Sequence, residues 1–241
     1  MRPEHYGIIG RMNYREMIQN NLSHESTKVP VDFGSTAVTG IHVSLVEKLR
    51  DHYGLEKRPV KVIEPYQMLG LIEDDLRDAI GIATEGALAR NTFFGFPAQE
   101  WKPFTLPWGQ EVLVPGKFTT TQDAGGDLLI YPEGDTSAPP SGRMPASGYF
   151  FDTIVRQEPI VEEELDPADN TEEFVPLSPE DIDHFTTEIT RIAATGKAVV
   201  ATFPGGGLGD IALVPAPFMK HPKGIRDITE WYISLVSRTE Y

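Results

Sequence analysis

The sequence predicts an α/β chain in which short buried strands alternate with amphipathic helices. Three observations carry that prediction. The run Val29-Pro-Val-Asp-Phe-Gly34 is compact, apolar and closed by a glycine. The run Ala198-Val-Val-Ala201 follows directly on a segment of helical period that stops at Gly196. Between them, residues 83–88 give a third and weaker core strand.

Taken in order, residues 1–28 read as an N-terminal extension with a helix starting near Met12. The first strand at 29–34 leads through Ser35–Gly40 into a helix with Ile41, Leu45, Val46, Leu49 and Tyr53 on one face, stopped by Gly54. Val60–Ile63 is strand-like, and Pro65 is expected to open a helix with the face Met68, Leu69, Ile72, Leu76 and Ile80. From about 91 to 155 the pattern becomes a β-rich insertion. The runs Glu111–Val114, Phe118–Thr121 and Leu128–Tyr131 are separated by Pro-Gly and Gly-Gly turns. Four prolines and three glycines within 132–148 predict an irregular loop there. Residues 156–177 read as an acidic linker: eight carboxylates and no base lie between Glu158 and Glu173, the composition of a solvated loop. Ser178-Pro-Glu-Asp181 then combines an N-cap, a proline at the first helical position and acids in the first turn. Its helix carries Ile182, Phe185, Ile189 and Ile192. A last helix from about Ile225 shows Ile228, Tyr232, Leu235 and Val236 on one face.

Composition narrows the function classes. A formal charge of −15 over 241 residues opposes a phosphate backbone, so no nucleic-acid partner is expected. With no cysteine, disulfides, thiolate nucleophiles and thiolate-bound zinc are excluded within these residues. No apolar run approaches the roughly 18–20 residues of a membrane span, and Met1 opens no signal peptide, so no membrane partner and a cytoplasmic location are expected.

The candidate site follows from the strand ends, where open α/β sheets bind ligands. Strand 198–201 empties into a loop with four glycines among positions 205–209, ending on Asp210. Glycines there let a backbone approach a ligand closely. Their spacing does not fit the dinucleotide fingerprint. Asp32 ends the first strand, and Thr36, Thr39 and His42 follow it. Glu85 lies in the second strand, with Arg90 and Asn91 just beyond it and Phe93, Phe94 and Phe96 as packing or pocket walls. The candidates are therefore Asp32, His42 and Asp210 as catalytic groups. Thr36, Thr39, Glu85, Asn91, Phe203, Gly205, Gly206, Gly207 and Gly209 would bind substrate. No metal ligands are assigned, and His221 reads as solvent-facing.

Four phrases resemble the uroporphyrinogen decarboxylase superfamily: Arg15-Glu16, Val29–Gly34, Glu111-Val-Leu-Val-Pro-Gly116 and Ala198–Asp210. The similarity runs from Met12 onward. It implies a (β/α)8 barrel of TIM type, incomplete here, with about the first three barrel strands and a β-rich insertion inside a domain spanning 29–241. It also implies either porphyrinogen decarboxylation in haem biosynthesis or methyl transfer between a small methylated substrate and a corrinoid protein. The decarboxylases carry an arginine pair after the first strand. The corresponding Asp32–Gly40 has none, so the resemblance leans to the methyltransferases. In those enzymes a His-x-Cys pair and a later Cys hold zinc. Here the resemblance implies no cofactor within the chain, a corrinoid (cobalamin) on a partner protein, and any zinc held by residues beyond Tyr241. A homodimer is compatible with it. A different class of function, a truncated non-catalytic barrel paired with a partner chain, is the competing expectation.

Overall fold

In a computed structural model, the structure describes residues 14–26, 28–203, 207, 209–239 and 241. The chain is mixed α/β. Among the described residues there are five α-helices and three small sheets, and no sheet closes into a barrel. No helix among them is long and apolar enough to cross a membrane.

The first sheet has the order β2 (Leu69–Gly70), β1 (Val60–Glu64), β5 (Glu111–Val114), β4 (Lys102–Thr105). Strands β1 and β5 are parallel, and the two outer pairings are antiparallel. Helix α2 (Val43–His52) packs on it through Val43 and Val46, both buried. The second sheet is the parallel pair β3 (Thr84–Ala87) and β10 (Ala198–Ala201), with Thr84 level with Ala198 and Ala87 with Ala201. The third is an antiparallel meander of β6 (Thr120–Gln122), β7 (Leu128–Ile130), β8 (Gly142–Met144) and β9 (Asp152–Thr153).

The largest core joins the first sheet to the meander. It contains Val62, Met68, Ile72, Leu76, Phe94, Phe96, Phe118, Ile130, Met144 and Phe151. A smaller one lies under α4 (Pro179–Thr195), where Phe185 and Ile192 cover Ala87 and Val199. Helix α4 starts as its sequence dictates. Ser178 Oγ accepts from Asp181 N at 3.1 Å, the Asp181 carboxylate accepts from Ser178 N at 3.3 Å, and Gly196 ends the helix in the left-handed region.

Four expectations are corrected. Residues 29–34 form no strand beyond one parallel bridge, Val31 to Ile82. Val29 is 84% exposed, and the chain bends at Gly34 (φ +79°) to close on Thr39 O. Pro65 opens a turn rather than a helix. The Glu64 carboxylate accepts from Tyr66 N and Gln67 N, each at 2.8 Å, and Met68 sits at φ +54°. That returns Leu69 to pair with β1, and helix α3 begins only at Asp74 (Asp74–Ile80). The stretch 132–148 contains strand β8, because Gly142 presses against Phe94 and Ile130 where a side chain would not fit. The acidic stretch 156–177 is anchored rather than free, through Arg226 and Arg238. The predicted extension over 1–11 lies outside the described residues.

Candidate functional site

The most built polar group on the parallel layer centres on Thr84, the first residue of β3. Ala83 N donates to Val31 O and Ala83 O accepts from Ala198 N, so Val31, β3 and β10 are stitched together as three parallel segments in chain order. Side chains alternate across a strand. Thr84 and Gly86 face the 32–35 segment, while Glu85 and Ala87 face α4. On the first face, Ser35 Oγ donates to Thr84 Oγ1 at 2.8 Å and Thr84 Oγ1 donates to Asp32 Oδ1 at 2.7 Å. Ser35 and Thr84 are buried, and Asp32 is partly exposed. The relay polarises both hydroxyls toward the carboxylate. Gly86 makes the approach feasible, since a Cβ there would collide with the carbonyl of Ser35.

The other predicted residues distribute as follows. Thr36 and Thr39 bond to each other (Oγ1 to Oγ1, 3.4 Å) and close the loop next to Asp32. His42 is the N-cap of α2. Its Nδ1 accepts from Ser44 N at 3.2 Å, which leaves Nε2–H to donate to Tyr149 O at 2.9 Å, so both ring nitrogens have structural tasks. The ring also lies against Trp108, 5.5 Å between centroids. Glu85 points away from Asp32, beneath α4, where Arg191 holds its Oε1 at 2.9 Å and its Oε2 is buried without a hydrogen bond. Asn91 is exposed and bridges Pro97. Arg90 is tied to Asp181 at 3.0 Å. Phe94 and Phe96 are fully buried in the main core, so these aromatics pack the insertion. Phe203 is 52% exposed and rests on Phe185, 4.5 Å between ring centroids. His221 is exposed.

Gly205 and Gly206 lie outside the described residues. Gly207 and Gly209 pack beside Leu213 and Trp231. Asp210 is exposed and caps its own turn, accepting from Ala212 N at 3.0 Å. Asp32 and Asp210 are not brought together. Register puts Asp32 level with Ala83 and Lys197, about 16 Å along the strand direction below Thr202, where the glycine loop departs. Sequence reasoning missed Ser35 and Thr84, because only the crossing of two segments 49 residues apart gives these hydroxyls a carboxylate partner.

Among the described residues no three His, Asp or Glu side chains converge as a metal site, and the chain has no cysteine. These donors do not fit the zinc of the thiol-activating methyltransferases. No family model matches the chain, and neither a curated protein nor a solved structure matches it.

Proposed function

We propose that this chain is a methyltransferase of the uroporphyrinogen decarboxylase type, which moves a methyl group between a small methylated substrate and a corrinoid protein. In this proposal Val31, β3 and β10 are the first three strands of a TIM-type barrel. The observation that carries it is the parallel, chain-ordered stitching of these segments with the Asp32 carboxylate held by Thr84 at their inner face. Barrel enzymes draw their catalytic groups from C-terminal strand ends; Asp32, just past the Val31 bridge, follows that pattern, while Thr84, at the start of β3, supports it. The corrinoid, bound to its own protein, supplies the cobalt chemistry. The task left to this chain is orientation: Asp32 Oδ2 accepts a hydrogen bond from the substrate while Thr84 and Ser35 fix the carboxylate's rotamer.

The lyase of the same fold is disfavoured by charge. A substrate with many carboxylates needs cations opposite it. The loop 32–40 has none, and Arg90 beyond β3 is already paired with Asp181.

Absorbance titration of methylcobalamin, free and on a corrinoid protein, tests the proposal. A shift of the corrin bands on addition of the chain and a methyl acceptor is the expected result. Unchanged bands, together with carboxyl loss from a porphyrinogen, would assign the chain to the lyase instead.

A further inference from the structure

Helix α5 (Ile228–Ser237) sits on the molecule the opposite way round from what its composition favours. Its buried residue is Ser234, whose Oγ donates to Glu230 O at 2.7 Å and accepts from Arg238 Nη1 at 2.9 Å. Arg238 in turn is held by Glu162 at 2.6 Å and by Glu230 at 3.3 Å. The inward side is therefore a polar row, Glu230, Ser234 and Arg238, at the four-residue spacing of one helix face. The row that the sequence presents as a packing face, Ile228, Tyr232, Leu235 and Val236, lies on the opposite side. Tyr232 is 53% exposed, Leu235 63% and Val236 79%, and Ile233 beside them is exposed as well.

Area and charge select what covers this face. The exposed side chains present roughly 400 Å² of apolar surface, the scale at which a patch marks an interaction site. Two facing copies would cover roughly 800 Å², and about 1,000–1,200 Å² with the Thr229 and Ser237 rims, which reaches the area of a small specific dimer. A chain of formal charge −15 repels its own copy wherever carboxylates meet, yet this outward side carries no charged side chain. The helix ends are self-complementary too. Asp227, which accepts from Thr229 N at 2.7 Å, and Glu230 stand at the N-terminal end, and Arg238 at the C-terminal end. Antiparallel pairing sets the acidic end of each helix beside the basic end of the other and opposes their dipoles, whereas parallel pairing sets like against like. An anionic membrane fits less well, because Glu162–Glu164 flank the C-terminal end and Arg238 is already held by carboxylates.

We propose that α5 pairs antiparallel with α5 of a second copy of this chain, about a two-fold axis passing near Tyr232, the midpoint of the stripe from Ile228 to Val236. The pairing is independent of the reaction the chain performs.

Analytical ultracentrifugation of the full chain tests this. The weight-average mass should rise towards twice that of the chain between about 1 and 300 µM, the affinity range of a small interface. Leu235→Glu should keep the parent's near-ultraviolet circular dichroism, since the position is exposed, and weaken dimerisation at least about thirtyfold by burying an unpaired carboxylate in the interface. Should that variant fail to fold, Val236→Glu decides by the same criterion, on the most exposed residue of the stripe. The sequence has no cysteine, so a single introduced one reports the geometry. Tyr232→Cys should oxidise to a linked dimer at least about tenfold faster than Val38→Cys, an exposed control position in the 35–40 loop. A chain that stays monomeric over this range, a dimer that Leu235→Glu leaves intact, or linking no faster at Tyr232 than at Val38 overturns the proposal. A monomer that binds phosphatidylserine vesicles through Leu235 gives the face to a membrane instead and overturns it as well.

Discussion

Glu64 gives the sharpest test of the packing. Its carboxylate closes the turn that follows β1, and it is crowded enough that burial raises its pKa from 4.5 to about 7, against the lowering pull of the Gln67 and Tyr66 amides. A raised folded-state value means that the native chain binds this proton more tightly than the unfolded chain does. The associated stability is therefore present in full below about 4.5 and is lost as pH rises through about 7. A shift of that size corresponds to about 3 kcal/mol at most, and partial solvent contact reduces it to roughly 2. Glu64→Gln removes the charge and keeps one side-chain carbonyl for the two amides. We expect the variant to match the parent within about 1 kcal/mol at pH 4.5 and to exceed it by about 2 kcal/mol at pH 8. Urea denaturation of both proteins at half-unit steps gives the difference directly, and contributions from every other titrating group cancel. A difference that stays flat from pH 4.5 to 8 would refute the burial argument for this turn.

Other consequences are simpler to measure. Gly86→Ala should lower stability by about 3 kcal/mol and loosen the 32–36 segment in hydrogen exchange, because the new methyl meets the Ser35 carbonyl. Ser178→Ala should remove about 1 kcal/mol by urea denaturation, through loss of the reciprocal cap of α4. Asp75, whose carboxyl is held down at about 2 chiefly by its hydrogen bond to the buried Arg50, stabilises the fold above pH 4. That contribution should fade between about pH 4 and 2. Asp75→Asn should flatten acid unfolding there by about 1 kcal/mol, discounted for a partly exposed carboxylate.

Local chemistry made much of the fold legible in advance. The Ser178 cap, the Gly196 stop and the β-branched Ala198–Ala201 run specify α4 and β10 within their own few residues. Strands β1 and β5 were visible for the same reason. What the sequence hid depends on partners far along the chain. Pro65 signals a helix start, yet the Glu64 side chain captures the amides that a helix would have used, and Leu69 finds a strand partner. Eight carboxylates signal a solvated linker, yet Arg226, 53 residues beyond Glu173, buries its guanidinium among them. At the site, Asp32 is picked out by a predicted strand that the structure reduces to one bridge, Val31 to Ile82. Its supports Thr84 and Ser35 are not, since hydroxyls carry no signal until two segments meet. His42 has the chemistry of a base, but its position just before α2 commits the ring to capping. Alternation along β3 sends Glu85 to the helix layer, opposite Asp32.

The measurement that bears most directly on the account compares Asp32→Asn with Asp210→Asn in methyl transfer to cob(I)alamin, followed by corrin absorbance. Asp32 is held against Thr84 on the parallel layer, and Asp210 is exposed and caps its own turn. Asp32→Asn should therefore slow transfer by about a hundredfold while Asp210→Asn stays within a few-fold of the parent. Equal rates for Asp32→Asn and the parent would remove the carboxylate relay from the chemistry and the proposed site with it.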